Sequence, residues 1–230
     1  MKQLLDAEML DRAKAVLDRE ARALQRVSQQ LDATELARVT HLLSSCLGHV
    51  LVTGAGTSRA MAERFAHLLS CCGTPALYIS AADSLHGTAG AITPRDVVFV
   101  ISKGGRSTEV NRFAEIAKAR GATLIAQTEA PDSPLARMSD AVLTVRAPRE
   151  IDPFDGMLAL GSSLVNGAVG DVLCALLLEM NEYAFEDFGR THPGGAVGER
   201  IRHGETGSLQ SHGEKSDNDE GSLPSSPQGL

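Results

Sequence analysis

Short apolar segments rich in β-branched residues alternate with helical segments through the middle of this 230-residue chain. Strands that alternate with helices at this spacing predict right-handed crossovers and a parallel sheet. The chain has no tryptophan and an aromatic content of 3%, so its core must consist mainly of Ala, Val, Leu and Ile. Such a core suits strands that helices cover on both faces. We therefore predict an α/β fold, a three-layer αβα sandwich with five parallel strands near 49–54, 76–80, 96–102, 122–127 and 141–145, and with helices near 58–72, 107–120 and 134–139.

The segments on either side of this body have a different character. Residues 1–46 predict an N-terminal helical arm, made of a helix over 2–30 and a second helix from about Ala33 behind the N-cap candidate Asp32. We interpret the arm as a packing and oligomerisation element, because it lacks clustered Arg or Lys and its first helix repeats apolar residues at helical spacing: Leu4, Leu5, Met9 and Val16.

The body extends to residue 202 and ends in a long Ala- and Leu-rich helix over 158–183, a short helix from 184 and a turn over 190–196. From 203 to 230 the composition becomes polar and loses apolar periodicity, which predicts a disordered tail. We therefore divide the chain into the arm, a domain over 47–202 and the tail.

Charge and cysteine usage limit the partners. The net charge is −7, the pI is about 5.5, and there is no basic block, which disfavours nucleic acid or an anionic membrane as the main partner. The N-terminus is charged, so we expect no signal peptide, and we expect the apolar runs to be too short to cross a bilayer. The four cysteines lack metal-ligand spacing. We expect a cytoplasmic protein without metal or other cofactor.

The run from Asp96 to Glu109 carries a candidate anion site. A strand ends at Ser102, Gly104 and Gly105 form a turn, and Ser107 precedes a helical pattern. Free backbone N–H groups at a helix N-terminus attract anions, and hydroxyl groups add donors. Taken alone, the pattern also fits an ordinary turn with Ser107 as the N-cap.

An earlier segment repeats this arrangement, with a strand that ends at Gly54 and a turn through Gly56 into a helix. A dinucleotide fingerprint is disfavoured, because Arg59 stands where the third glycine belongs and no acid ends the next strand. Two such turns in consecutive βα units open on the same edge of a parallel sheet. We predict a phosphate site there, formed by Gly56, Thr57, Ser58, Ser102, Lys103, Gly104, Gly105, Arg106, Ser107 and Thr108.

These two turns, together with 84–87, the segment around Glu150 and the motif over 187–198, resemble the sugar isomerase (SIS) domain family. The resemblance covers about 33–202 and is closest to the branch of arabinose-5-phosphate isomerases. It implies a flavodoxin-like SIS-type fold, a sugar phosphate as ligand, and aldose–ketose isomerisation through an enediol. It also implies a homodimer or homotetramer in which His192 reaches a neighbour's pocket. The polar tail stands where this branch often has tandem regulatory modules.

The resemblance also assigns roles to individual residues. His192 is the strongest acid/base candidate, Glu150 is the first candidate for the base, and His86 is a weaker proton donor. Ser162 and Ser163 keep two hydroxyl groups of the family's third Ser/Thr stretch.

The chain departs from the family pattern at two positions. Thr57 stands where the family has Lys, and Arg106 stands where it has Glu. Asp152 and Asp155 are candidates to replace that acid, and Arg106 could instead anchor phosphate.

Two functions therefore stay open at this point. One is a phosphosugar isomerase, which the presence of Glu150 and His192 favours. The other is a phosphosugar-binding sensor without turnover, which the departures at Thr57 and Arg106 favour. An amino-sugar phosphate enzyme would share the fold but not the His192-Pro-Gly-Gly segment.

Overall fold

The computed structural model describes residues 2–204 and 206–207, with side chains from residue 6 onward. Its five strands are β1 (Val50–Gly54), β2 (Ala76–Tyr78), β3 (Val97–Ile101), β4 (Thr123–Thr128) and β5 (Ala141–Thr144). Its α-helical segments are α1 (Lys2–Gln30), α2 (Ala33–Ser44), α3 (Thr57–Cys71), α4 (Ala81–Ser84), α5 (Thr108–Ala119), α6 (Pro134–Met138), α7 (Pro153–Gly156), α8 (Gly161–Met180), α9 (Phe185–Thr191) and α10 (Gly195–Arg202).

The strands form one parallel sheet in the order β2-β1-β3-β4-β5, with Val50 of β1 opposite Val97 of β3. Every residue of β1 and β3 is buried, as expected for strands covered on both faces. This order is that of flavodoxin-like folds. The predicted α/β architecture is confirmed, and each strand lies within two residues of its predicted bounds.

Alternate residues of the strands face two helical layers. Val52 and Phe99 pack with α1, α2, α3 and α8, and the ring of Phe99 meets that of Phe65 edge-on at 5.0 Å between centroids. Leu51 and Val98 face the other layer, which α4, α5 and α6 form. The sheet is therefore the middle layer of an αβα sandwich.

The N-terminal helices pack on the sheet domain. Oδ1 of Asp32 accepts hydrogen bonds from the backbone N–H groups of Thr34 and Glu35 at 2.9 and 2.8 Å, which confirms it as the N-cap of α2. The Glu35 carboxylate in turn accepts bonds from the backbone N–H and hydroxyl of Thr144 in β5. Met9 in α1 is 67% exposed. The side chains of the two leucines at positions 4 and 5 lie outside the description.

Helix α8 differs from the expectation that no apolar segment could span a bilayer. Its 20 residues are long and apolar enough to do so, but half of the segment is buried inside the protein. Gly167 and Gly170 let it approach α3, since a Cβ at Gly170 would lie 3.1 Å from the Phe65 ring. An ion pair with two short contacts joins Arg64 of α3 to Asp171 of α8. Helix α8 is therefore the core helix of this layer.

The C-terminal segment contains two short helices where one helix and a turn were predicted. Gly195 begins α10, so the turn is shorter than the predicted span of 190–196. The tail predicted over 203–230 lies outside the described residues except for 203, 204, 206 and 207, and both its disorder and the three-part division of the chain stay predictions.

Candidate active site

The carboxyl ends of β1 and β3 lie side by side at the topological switch point of the sheet. The chain moves from β1 to β2 in one direction and then crosses back to β3 on the other side of β1. The loops that leave neighbouring strands at such a switch point diverge and leave a crevice, where open α/β folds bind ligands. Both glycine turns predicted from the sequence border this crevice.

The first turn is shaped by two glycines. A Cβ on Gly54 would lie 2.8 Å from the carbonyl oxygen of Ser58 and 3.0 Å from that of Ile101, so the close contact between β1, β3 and α3 requires glycine. Gly56 has φ +59° and no atom near its missing Cβ. Helix α3 begins directly after it at Thr57, and no side chain caps this helix N-terminus at the carboxyl edge of the sheet. Ser58, which is half-buried, stands in this first turn.

Arg59 is held beside this turn. Its Nε donates to the Glu63 carboxylate at 2.8 Å, and its guanidinium carbon lies 5.6 Å from the centroid of the Tyr78 ring. The hydrogen bond from Arg59 to Glu63 is the main cause that raises the pKa of the guanidinium. Arg59 therefore supplies a permanent positive charge close to the first turn.

The second turn is fixed by backbone bonds. Gly105 has φ +59°, its N–H donates to the Ser102 carbonyl at 3.2 Å, and a Cβ on it would lie 2.1 Å from Oγ of Ser133. Ser107 occupies the N-cap of α5, but its hydroxyl makes no capping bond and has no partner among the described residues. The hydroxyl is therefore available to a ligand. Gly104, Arg106 and Thr108 are exposed around the same turn.

Lys103 points away from the predicted phosphate turn. Its Nζ lies 3.0 Å from Oδ2 of Asp152, 3.4 Å from Oγ of Ser162 and 4.0 Å from Oε1 of Glu129. It also lies 3.4 Å from the carbonyl oxygen of Gly156. The sequence pattern placed Lys103 among the phosphate ligands, whereas the structure directs its ammonium group into the loop between β5 and α8.

Asp152 organises that loop. Its side chain has no exposed surface, and Oδ1 accepts bonds from the backbone N–H groups of Leu160 and Ser162, both at 2.9 Å. Burial acts to raise the pKa of this carboxyl, but the bonds from Ser162 and Lys103 outweigh it and lower the pKa. Ser162 is buried at the start of α8, while Ser163 is half-buried and donates to the Leu160 carbonyl at 2.7 Å.

Glu129 is a member of this cluster that the sequence did not suggest. It follows β4 directly, its N–H donates to the Lys103 carbonyl at 3.0 Å, and its Oε1 accepts from the N–H of Ala147 at 3.3 Å. Burial is the largest cause that raises the pKa of its carboxyl, and Lys103 opposes this shift. Its position directly after a buried strand, at the carboxyl edge of the sheet, is the signal that could have found it.

Glu150 is turned toward the first helix. Its Oε1 lies 2.7 Å from a guanidinium nitrogen of Arg26 in α1, and 66% of the Glu150 side chain is exposed. Bonds from its own backbone N–H and from Arg26 lower the pKa of the carboxyl. Asp155 is likewise exposed and paired with Arg149 at 2.7 Å. Within one chain, neither carboxylate joins the two glycine turns.

His86 is exposed in the loop that follows β2 and α4, also at the carboxyl edge of the sheet. Its ring has no hydrogen-bond partner within the described part of the chain, although its backbone N–H donates to the Asp83 carbonyl at 2.9 Å. Since β2 is next to β1 in the sheet, His86 lies one strand away from the first turn.

His192 lies near the opposite edge of the sheet. Helix α8 begins beside Lys103 and runs for 20 residues, or about 30 Å, before α9 starts. A cavity between α9 and the end of α3 is lined by Thr191, next to His192, and by Gly73 and Thr74, which precede β2. In a single chain His192 is therefore far from both glycine turns.

The conformation of His192 is nevertheless well defined. Its ring stacks on Phe188 at 3.9 Å between centroids, and its Nδ1 lies 2.9 Å from the Phe188 carbonyl oxygen. A carbonyl only accepts, so Nδ1 carries the proton of this bond and Nε2 is left to exchange a proton with another molecule. A Cβ on Gly198 would lie 2.3 Å from the Pro193 carbonyl oxygen, which explains a glycine where α10 packs against the turn after His192.

Within the described ranges, no group of three His, Cys, Asp or Glu side chains is arranged to hold a metal ion. The expectation that the protein works without metal stays a prediction.

Comparison with known proteins agrees with this geometry. The arabinose 5-phosphate isomerase KpsF of Escherichia coli is 32% identical over 197 residues, which are 86% of this chain and 60% of that protein. GutQ of Salmonella typhi, an arabinose 5-phosphate isomerase, is 34% identical over 194 residues, which are 84% of this chain and 60% of that protein. The chain thus spans about 60% of the length of these curated relatives.

Solved structures extend the agreement to the fold. A Listeria monocytogenes protein proposed to be a sugar-phosphate isomerase superposes with a TM-score of 0.78 at 33% identity, over 81% of this chain and 97% of that chain. An E. coli CFT073 protein in complex with a sugar phosphate superposes with a TM-score of 0.77 at 29% identity, over 81% and 98%. The family model of the SIS domain matches residues 42–173, and the chain belongs to the SIS domain family.

Proposed function

We propose that this protein is an aldose–ketose isomerase of a sugar phosphate and that arabinose 5-phosphate is the first substrate to test. The observation that carries the proposal is the pair of glycine turns, which meet where the sheet order reverses and present open helix N-termini and the unpartnered Ser107 hydroxyl. The relatives named for this activity and the similar structure in complex with a sugar phosphate support it.

In this proposal the phosphate group binds the second turn. Backbone N–H groups at the start of α5 and the Ser107 hydroxyl would donate to its oxygens, and the exposed guanidinium of Arg106 would supply charge. Anchoring the phosphate fixes the position of the carbonyl end of the sugar relative to the acid and base groups. This lowers the entropic part of the activation barrier. The reaction then needs a base at carbon and a proton carrier at oxygen.

His192 can serve this site only from another copy of the chain. Its position near the opposite edge of the sheet and the free Nε2 of its ordered ring suit a residue that enters a neighbouring subunit's crevice. The exposed side chains of Met9, Leu10 and Leu17 on α1 offer an apolar surface for assembly. We therefore propose a homodimer or homotetramer. Its cytoplasmic location is a further proposal, which agrees with the four free cysteines of the described chain.

A hydrogen-exchange experiment tests the activity directly. Thermal-shift screening against pentose, hexose and amino-sugar phosphates first identifies ligands, and each ligand is then incubated with the protein in heavy water. We expect conversion of the aldose to its 2-ketose and incorporation of solvent deuterium, because abstraction of the C2 proton exposes it to the solvent. Binding without either turnover or exchange would identify a sensor instead and would contradict the proposed function.

A further inference from the structure

Glu129 stands beside the proposed phosphate turn. The bond from its N–H to the Lys103 carbonyl at 3.0 Å joins the residue after β4 to the turn after β3, and the Thr128 hydroxyl donates to the same carbonyl at 3.0 Å. A sugar phosphate bound at the turn therefore lies next to the segment that carries Glu129. Its side chain is 26% exposed at the carboxyl edge of the sheet, so the carboxylate is accessible to a ligand that extends from the turn toward β4.

The two carboxylates of the cluster share one ammonium group, and Arg146 is a further cation that faces Glu129. One ammonium group, that of Lys103, lies 3.0 Å from the Asp152 carboxylate and 4.0 Å from that of Glu129. Asp152 is fully buried and also accepts two backbone bonds, which fixes it in the charged form. Glu129 has a single backbone donor and the longer distance to the cation. It is therefore the carboxylate of the cluster that is able to take up a proton.

We infer that Glu129 is the base that transfers the proton between C1 and C2 of the sugar, and that Lys103 carries the proton between the two oxygens, while His192 of a neighbouring subunit serves as the acid/base group that opens the sugar ring. This inference rests on the proposed isomerase function. Asp152 is a positioning residue, since it holds the Lys103 ammonium group without reaching the crevice. The raised pKa of the Glu129 carboxyl supports the assignment, because a base that works near neutral pH must bind its proton more tightly than an ordinary carboxylate.

The proton transfers balance. The Glu129 carboxylate removes the proton from C2, the electron pair forms the C1–C2 double bond, and the carbonyl oxygen at C1 receives a proton from the Lys103 ammonium group. The resulting enediol loses the proton of its C2 hydroxyl to the Lys103 amine, and the Glu129 carboxyl returns its proton to C1. The aldose becomes the 2-ketose, and both side chains return to their starting states.

Three glutamate-to-glutamine variants test this assignment with the full chain and arabinose 5-phosphate. Glu129→Gln should lower kcat by ~10²–10⁴-fold with little change in KM, which is the loss expected for a positioned base. Glu115→Gln is the matched control, because Glu115 pairs with Arg112 on the exposed side of α5 and should keep wild-type kcat. Glu150→Gln tests the competing base. Glu129→Asp should retain part of the activity, which a purely structural role would not predict.

The pH profile gives a second readout. The charged groups that face Glu129 are Lys103, Asp152 and Arg146. The acidic limb of kcat/KM in the wild type should lie above the range of an ordinary glutamate, and it should disappear in Glu129→Gln. Lys103→Met should lower kcat and, since Lys103 lowers the Glu129 pKa, should move the remaining limb to higher pH. Asp152→Asn should change kcat more than KM.

The results distinguish a failure of the Glu129 assignment from a failure of the proposed isomerase function. Wild-type turnover with full kcat in Glu129→Gln, or a large loss in Glu150→Gln alone, would overturn the inference and leave the proposed function standing. A wild type that binds the sugar phosphate without turnover would overturn both. If Glu129→Gln fails to fold, judged by circular dichroism, Glu129→Asp decides: wild-type kcat with an unchanged acidic limb would exclude Glu129 as the base.

Discussion

A mixing experiment between two inactive variants tests whether His192 works across a subunit boundary. His192→Ala removes the imidazole, and Ser107→Glu places a carboxylate where the phosphate should bind at the start of α5. Each variant alone should lose activity by ~10²-fold or more, since one lacks an acid/base group and the other repels the substrate. Both positions are exposed or half-buried, so neither change disturbs the core.

The structure sets the size of the expected recovery. Because α8 places about 30 Å between the Lys103 cluster and α9, one subunit cannot combine its own turn with its own His192. In a mixed dimer, one site receives both changes and the other receives neither. Random exchange of equal amounts makes half of the dimers mixed, so the mixture should recover about one quarter of wild-type activity.

The assay mixes the variants under conditions that exchange subunits and follows ketose formation, and native mass spectrometry measures the mixed species. Each variant mixed with wild type is the control for exchange itself. No recovery despite abundant mixed dimers would refute the shared site. Full activity in a wild-type monomer, identified by light scattering, would refute it as well.

Other predictions follow from the same contacts. Ser107→Ala should weaken sugar-phosphate binding by ~1–2 kcal/mol, measured by calorimetry, because it deletes one donor to a charged group; unchanged binding would place the anchor elsewhere. Asp152→Ala should lower the free energy of unfolding in urea by about 3 kcal/mol, since two backbone donors and Lys103 lose their partner, while Asp152→Asn should lose less. Because the pKa of Asp152 is lowered in the folded protein, its contribution to the free energy of unfolding is complete above the ordinary pKa range of aspartate and is lost as the pH falls below it. Acid unfolding of Asp152→Asn should lack this part of the pH dependence. Thr57→Lys combined with Arg106→Glu should raise arabinose 5-phosphate turnover if the chain has drifted from that substrate, and no gain would indicate a different sugar phosphate.

Much of the fold follows from local patterns in the sequence. The β-branched segments that became β1 and β3 are buried on both faces, so their composition alone marks them. Both glycine turns were also found, because glycine with positive φ between a strand and a helix leaves a local signature, as at Gly56 and Gly105. Asp32 was found as the N-cap of α2 because a side-chain acceptor directly before a segment with helical periodicity is also a local signal.

The interactions that decide the site were beyond the reach of local patterns. Lys103 turns from its own glycine loop because Asp152, 49 residues later, is buried within 3.0 Å of its ammonium group. Glu150 pairs with Arg26, which lies 124 residues earlier in the chain. Such pairings depend on how the helices and loops pack around the sheet, so they cannot be predicted from residue spacing along the chain. The prediction of α9 and α10 failed locally, since Gly194 and Gly195 favoured a longer turn.

The two kinds of position around the crevice differ in how freely evolution can change them. Gly54 has a backbone oxygen 2.8 Å from where a Cβ would stand, and Gly105 has Ser133 at 2.1 Å, so almost any replacement there would force the strands and helices apart. Thr57, three residues after Gly54, and Arg106, directly after Gly105, are exposed and can be exchanged without moving the backbone. The backbone of the proposed anion site is thus sterically constrained, while exposed side chains around it can be substituted. If the proposed function holds, a lineage with this fold can change its ligand by such substitutions and keep the same backbone turns.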